Sequence, residues 1–222
     1  MAAMPMVPEA QEQTPAAARA ATPFLRLVRA AALEERLAGE RPWSLAALAG
    51  RLTELAGPGS LSLACRLVLE AQSCGEPAGW IAAGAAIFFP PDMAANGVAL
   101  DRLPVVRVAD APQAARAADR LLRSGAFGLV VVDLAGLAAA ARLRPAAQAR
   151  LAQLARRHDT ALLCLAGAGS IGESSTVSLR ARCRSERLGD FRYRCELRPL
   201  KDKRRGTGWR GEEICHGPAG LR

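Results

Sequence analysis

The stretch Gly50-Arg-Leu-Thr-Glu-Leu-Ala-Gly-Pro-Gly-Ser60 decides how this chain folds. Gly50 to Gly57 reads as a short alternating strand, Pro58-Gly59-Ser60 as a tight turn, and the periodic apolar pattern that follows, to Gln72, as a helix. Working outward, Gly79–Ala83 and Pro104–Val108 read as further short strands. Asp110-Ala-Pro-Gln113 is a capping box that opens a helix through Arg123, and Ser124-Gly125 closes it. Leu129-Val-Val-Val-Asp133 is a fully apolar strand with a carboxylate at its C-terminal end. An Ala- and Arg-rich helix to about His158 follows, then a strand over Thr160–Leu165. Strands alternating with helices predict an α/β fold with a mostly parallel sheet flanked by helices.

The chain has 222 residues, enough to bury one core without a disulfide or metal staple. It is 50% apolar and 23% charged, which is globular rather than disordered composition. Its longest uncharged run, Pro77 to Pro91, carries glycines and prolines and falls short of the roughly 20 apolar residues of a bilayer span. No basic residue precedes Arg19 and no apolar signal region is present, so the cytoplasm is the expected compartment, with no membrane partner. Residues 1–22 read as a disordered tail. Residues 23–47 read as an N-terminal helix and linker, 48–217 as the main domain and 218–222 as a second tail. The six cysteines form no C-x-x-C pair, which predicts reduced core residues and no metal site.

The net charge of +9 is uneven. From Arg180 to Arg210 there are twelve bases against four acids, so this segment carries nearly all of it. Past the Gly- and Ser-rich stretch Ala166–Thr176 the pattern changes to period two. Apolar and basic residues alternate in Leu179–Arg184 and Phe191–Arg198, predicting an antiparallel hairpin over 177–200, with a third strand near Trp209–Cys215. If the faces match, Arg180, Arg182 and Arg184 lie beside Arg192 and Arg194, a like-charge arrangement that repels. Two readings stand side by side: a charged edge that discourages strand addition, or a surface for an anionic partner.

These residues resemble the RecA recombinase core. Gly50 to Pro58 is similar to the strand that enters that family's phosphate loop. Asp110 to Asp133 is similar to its helix and Walker B strand, and Lys201-Asp-Lys203 to its closing antiparallel strands. A working phosphate loop, G-x-x-x-x-G-K-[ST], needs glycine N–H groups around the phosphates, a lysine on the β and γ groups and a hydroxyl on magnesium. Here the chain reads Gly57-Pro-Gly59-Ser60-Leu-Ser62, and no lysine precedes Lys201. Trp80 to Ile87, where the resemblance places a catalytic glutamate, contains no acid, and only Asp133 has a counterpart. Gly57, Gly59, Ser60 and Asp133 are therefore expected to form a degenerate nucleotide site without turnover, leaving room for weak nucleotide binding. About eleven residues stand where the family has its long DNA-binding loop.

Within that superfamily, Trp80-Ile-Ala-Ala-Gly…Pro91 and Gly97–Leu103 resemble the ImuA group of mutagenesis-cassette proteins. The resemblance implies an accessory role in SOS-induced, error-prone translesion synthesis, with RecA and the polymerase-like protein ImuB as partners and restraint of RecA strand exchange as one outcome. No cofactor is expected. The partner or DNA surface would be Arg180, Arg182, Arg184, Arg192, Arg194, Arg198, Lys201, Lys203, Arg204 and Arg205. The N-terminal helix would contribute Phe24, Leu25, Leu27 and Val28 to a partner contact. The alternatives are a salt-dependent nucleic-acid-binding module, a division inhibitor similar to SulA, and an active ATPase.

Overall fold

Valine, leucine and alanine fill both faces of the central strands, and that composition requires cover on both sides. In the computed structural model, which describes residues 41–86, 88–138, 142–167, 174–189 and 192–216, helices supply that cover. A short helix α1 (Leu45–Leu48) precedes β1 (Leu52–Ala56) and α2 (Ser60–Ser73). Then come β2 (Ala78–Ala83), α3 (Pro90–Ala95), β3 (Val105–Val108) and α4 (Ala111–Ser124). β4 (Leu129–Asp133), α5 (Pro145–His158) and β5 (Ala161–Ala166) complete the alternating part. β6 (Leu179–Gly189), β7 (Arg192–Asp202) and β8 (Gly211–His216) close it.

The strands form one 8-stranded sheet in the order β3-β2-β4-β5-β1-β6-β7-β8. All pairings from β3 across to β6 are parallel, and β6–β7 and β7–β8 are antiparallel. This is the predicted α/β architecture with its C-terminal antiparallel strands. Alternate residues of each strand divide between two cores. Leu55, Trp80, Val131 and Leu163 pack beneath α2, and Leu52, Ile81, Val130 and Leu162 pack beneath α4 and α5.

Local signals explain the helix ends. Asp110 accepts the Gln113 N–H at 2.7 Å, while Gln113 Oε1 accepts the Ala109 N–H, and Gly125 ends α4 at φ 66°. Trp43, Leu45 and Leu48 are buried in the α2-side core, so residues read as linker pack with the domain. The hairpin is displaced by two residues from 177–200, running from Leu179 to Asp202. The tail 1–22, the helix bearing Phe24, Leu25, Leu27 and Val28, and the tail 218–222 lie outside the described residues. Among the described residues no helix is long and apolar enough to cross a membrane.

Candidate functional site

The turn after β1 has three residues, Gly57 to Gly59, before α2 begins at Ser60. The Ser60 N–H donates to the Gly57 carbonyl and the Leu63 N–H to that of Gly59, which tightens the chain straight into the helix. Gly57 and Gly59 have φ of 109° and 86°, accessible to glycine at little cost. What demands glycine here is the hairpin. A methyl on Gly57 would lie 2.2 Å from the Cys183 carbonyl oxygen, and one on Gly59 would lie 2.8 Å from Cys195 Sγ and 3.0 Å from Cys183 Sγ. The turn is pressed onto β6 and β7, Ser60 is buried, and the only two lysines in the chain are Lys201 and Lys203. The turn thus differs from the expected phosphate loop in carrying no lysine.

Asp133 ends β4 and is separated from β1 by β5. It is 1% exposed, and its Oδ1 accepts the Ala135 N–H at 3.0 Å. Burial pushes its pKa above the ordinary carboxylate value, against the opposing pull of that N–H.

Five of the cysteines are buried and Cys74 is exposed. Cys183, Cys195 and Cys215 lie at diagonal positions on one face of β6, β7 and β8, because Ser185 pairs with Cys195 and Tyr193 with Cys215. Cys183 Sγ donates to the Arg184 carbonyl at 3.6 Å, and interaction with Cys195 together with burial pushes the Cys183 and Cys215 thiols up. Sequence reading did not bring these three together, since diagonal placement depends on the cross-strand register.

The basic segment divides into two groups. Arg180 is 7% exposed and its Nε donates to Glu54 on β1 at 2.8 Å, which removes it from the expected partner surface. Lys201 Nζ donates to the Ser174 and Ser175 carbonyls, and Lys203 Nζ to that of Ser175. Arg204 donates to the carbonyls of Ala47 and Ala49 at the end of α1. These side chains fasten neighbouring backbone. Arg205 is half-buried, and its N–H donates to Asp202. Arg194 is held on both sides, with Nε 3.0 Å from Glu212 and Nη1 3.2 Å from Glu186.

The register also corrects the expected like-charge arrangement. Arg180 faces Lys201, Arg182 faces Arg198, Arg184 faces Glu196, and Glu186 faces Arg194. Arg192 lies across from Gly189 and His216 instead of beside the arginines of β6. One exposed pair of like positive charges remains across β6–β7, Arg182 with Arg198, and among the described residues neither forms an ion pair or hydrogen bond. Arg184 is exposed two residues further along β6, and Arg192 is exposed at the turn end of the hairpin, six residues from Arg198.

A further group escaped the sequence reading. Arg51, buried beneath α1, pairs with Asp202 and donates to Ser178 Oγ at 3.0 Å. Asp202 also accepts from the Arg204 N–H at 2.9 Å and from Trp209 Nε1 at 3.0 Å. Burial works against the Asp202 charge, but the Arg204 N–H and the Arg51 guanidinium outweigh it and hold this carboxyl below its usual value. Burial likewise lowers Arg51, yet a guanidinium keeps its proton in proteins, so the pair is ionised at neutral pH. Among the described residues no group of three or more His, Cys, Asp or Glu is arranged to hold a metal ion.

Comparison with known proteins relates the chain to RecA. It is 37% identical over 133 residues to the RecA protein of Deinococcus radiodurans, covering 55% of this chain and 36% of that one. It is 38% identical over 140 residues to the RecA protein of Caulobacter vibrioides, covering 58% and 36% respectively. The chain thus spans about a third of the length of the curated relatives it matches. No protein-family profile matches it.

Proposed function

We propose that this chain is a non-catalytic RecA-like accessory protein of SOS-induced, error-prone translesion synthesis, working by contact with RecA or an ImuB-type partner. The observation that carries the reading is the turn at Gly57–Gly59. Where a nucleotide site needs an open cradle and a lysine, this turn is three residues long and packed on Cys183 and Cys195. A RecA-like shape that has lost those means is suited to docking where a RecA-like surface is recognised. The contact surface is the exposed face around Arg182 and Arg198, with Arg184 and Arg192. Binding there would restrain strand exchange by RecA.

A second reading has its own support. Two exposed arginines facing each other across a ladder repel, and a phosphodiester backbone would relieve that repulsion. Retention of purified RecA, ImuB and single-stranded DNA by the immobilised protein, at low and physiological salt, with and without ATP, separates the two. A protein partner held at physiological salt and indifferent to ATP is the expected result. Retention of DNA alone, lost as salt rises, would replace the adaptor reading with a nucleic-acid-binding one.

A further inference from the structure

We propose that the groove between α4 and α5 is a docking site for an acidic amphipathic helix of a protein partner. The groove encloses about 400 Å³. Arg116 and Arg120 line it, one helical turn apart on α4, both exposed. Among the described residues neither forms an ion pair or hydrogen bond. Arg150 of α5 lies across from them and is committed elsewhere: with Arg123, it engages Asp119. The hydrogen bond from Arg150 holds Asp119 below the ordinary carboxylate value. The groove's one acid is therefore ionised and its charge already met, while two guanidinium groups are left to an external anion.

The floor decides which anion. It is formed by Ala115, Ala147 and Leu151, so small side chains let a third helix approach closely and an apolar stripe finds surface to bury. Carboxylates one turn apart on that helix share the roughly 5.4 Å pitch of Arg116 and Arg120, allowing two fork-shaped pairs. A nucleic-acid backbone would meet the arginines but bury nothing on this floor, and no lining residue is aromatic to stack a base. The surface is built from residues separate from the hairpin arginines.

The test titrates the whole protein into fluorescently labelled peptides of about 16 residues, long enough to form a helix on binding. Leucine and glutamate are set at i, i+3 and i+4 in several registers, a matched leucine and lysine series serves as control, and a labelled single-stranded oligonucleotide is run in parallel. The expected result is anisotropy change with a glutamate peptide and none with the lysine series. Arg116→Glu with Arg120→Glu should weaken binding by about 10-fold or more, the scale of lost charge-assisted pairs. Arg116→Lys with Arg120→Lys should keep part of it, and Arg182→Glu with Arg198→Glu should leave it unchanged, which separates this site from the hairpin. No glutamate-peptide binding up to about 100 μM overturns the proposal. So does binding that survives the double reversal at Arg116 and Arg120, or oligonucleotide binding that alone depends on them.

Discussion

Arg51 and Asp202, 151 residues apart in the chain, meet as an ion pair sealed from solvent beneath α1. The first residues of the domain are thereby locked to the end of the hairpin, and Asp202 also gathers the N–H groups that shape the turn after β7. Removing one partner strands the other charge, so Asp202→Ala should cost about 3–5 kcal/mol in denaturant unfolding. The folded pKa of Asp202 is depressed, so its contribution is present above the unfolded value of about 3.9 and is lost as pH falls through the folded one. Wild type should lose stability through that acid window, and Asp202→Ala should show a flatter profile there.

Gly57→Ala should destabilise by about 2–5 kcal/mol, because the methyl meets the Cys183 carbonyl and the backbone angle is strained for alanine. Chemical denaturation measures it. A tolerated substitution would mean that the turn can leave the hairpin and open.

Asp133 has the opposite sign to Asp202. Its folded pKa is raised, so its charge costs stability once pH passes the unfolded value of about 3.9, and the cost is complete above the folded value. Asp133→Asn should therefore gain on wild type as pH rises from about 4 to 8, read from denaturation midpoints at each pH. No pH-dependent gap would contradict the account of this carboxyl.

Arg198→Glu replaces a repulsive cross-strand pair with an attractive one and should stabilise the fold by about 0.2–1 kcal/mol. The same change should weaken partner retention. Higher melting temperature together with poorer binding is the pattern expected of residues kept for contact.

Cys74 should be the one thiol of six that reacts quickly with dithiobis-nitrobenzoate in the folded protein. Burial pushes Cys65 up to about 11 and Cys164 to about 12, and it shields Cys183, Cys195 and Cys215. Counting thiols before and after denaturation checks it.

The alternating part of the fold was legible because β4 and β5 are apolar on both faces and α4 carries its own caps. Helix α3 was not: six residues opened by Pro90 and Pro91 give too few turns for a periodic signal. The hairpin arginines show a deeper limit. Arg180 and Arg182 follow the same alternation, yet Glu54 on the neighbouring strand β1 claims Arg180 and leaves Arg182 exposed. Their cross-strand neighbours depend on irregularities between Arg180 and Ala181 and between Arg187 and Gly189, which shift the register. The Arg51–Asp202 pair lay inside two quoted stretches, but no local spacing links residues so far apart.

The most direct test of the claim that this RecA-like chain acts by contact is phosphate release from ATP with magnesium, with and without single-stranded DNA. The account predicts release at the rate of the protein-free blank under every condition. Release above the blank that disappears in Asp133→Asn would contradict it and make the chain an ATPase.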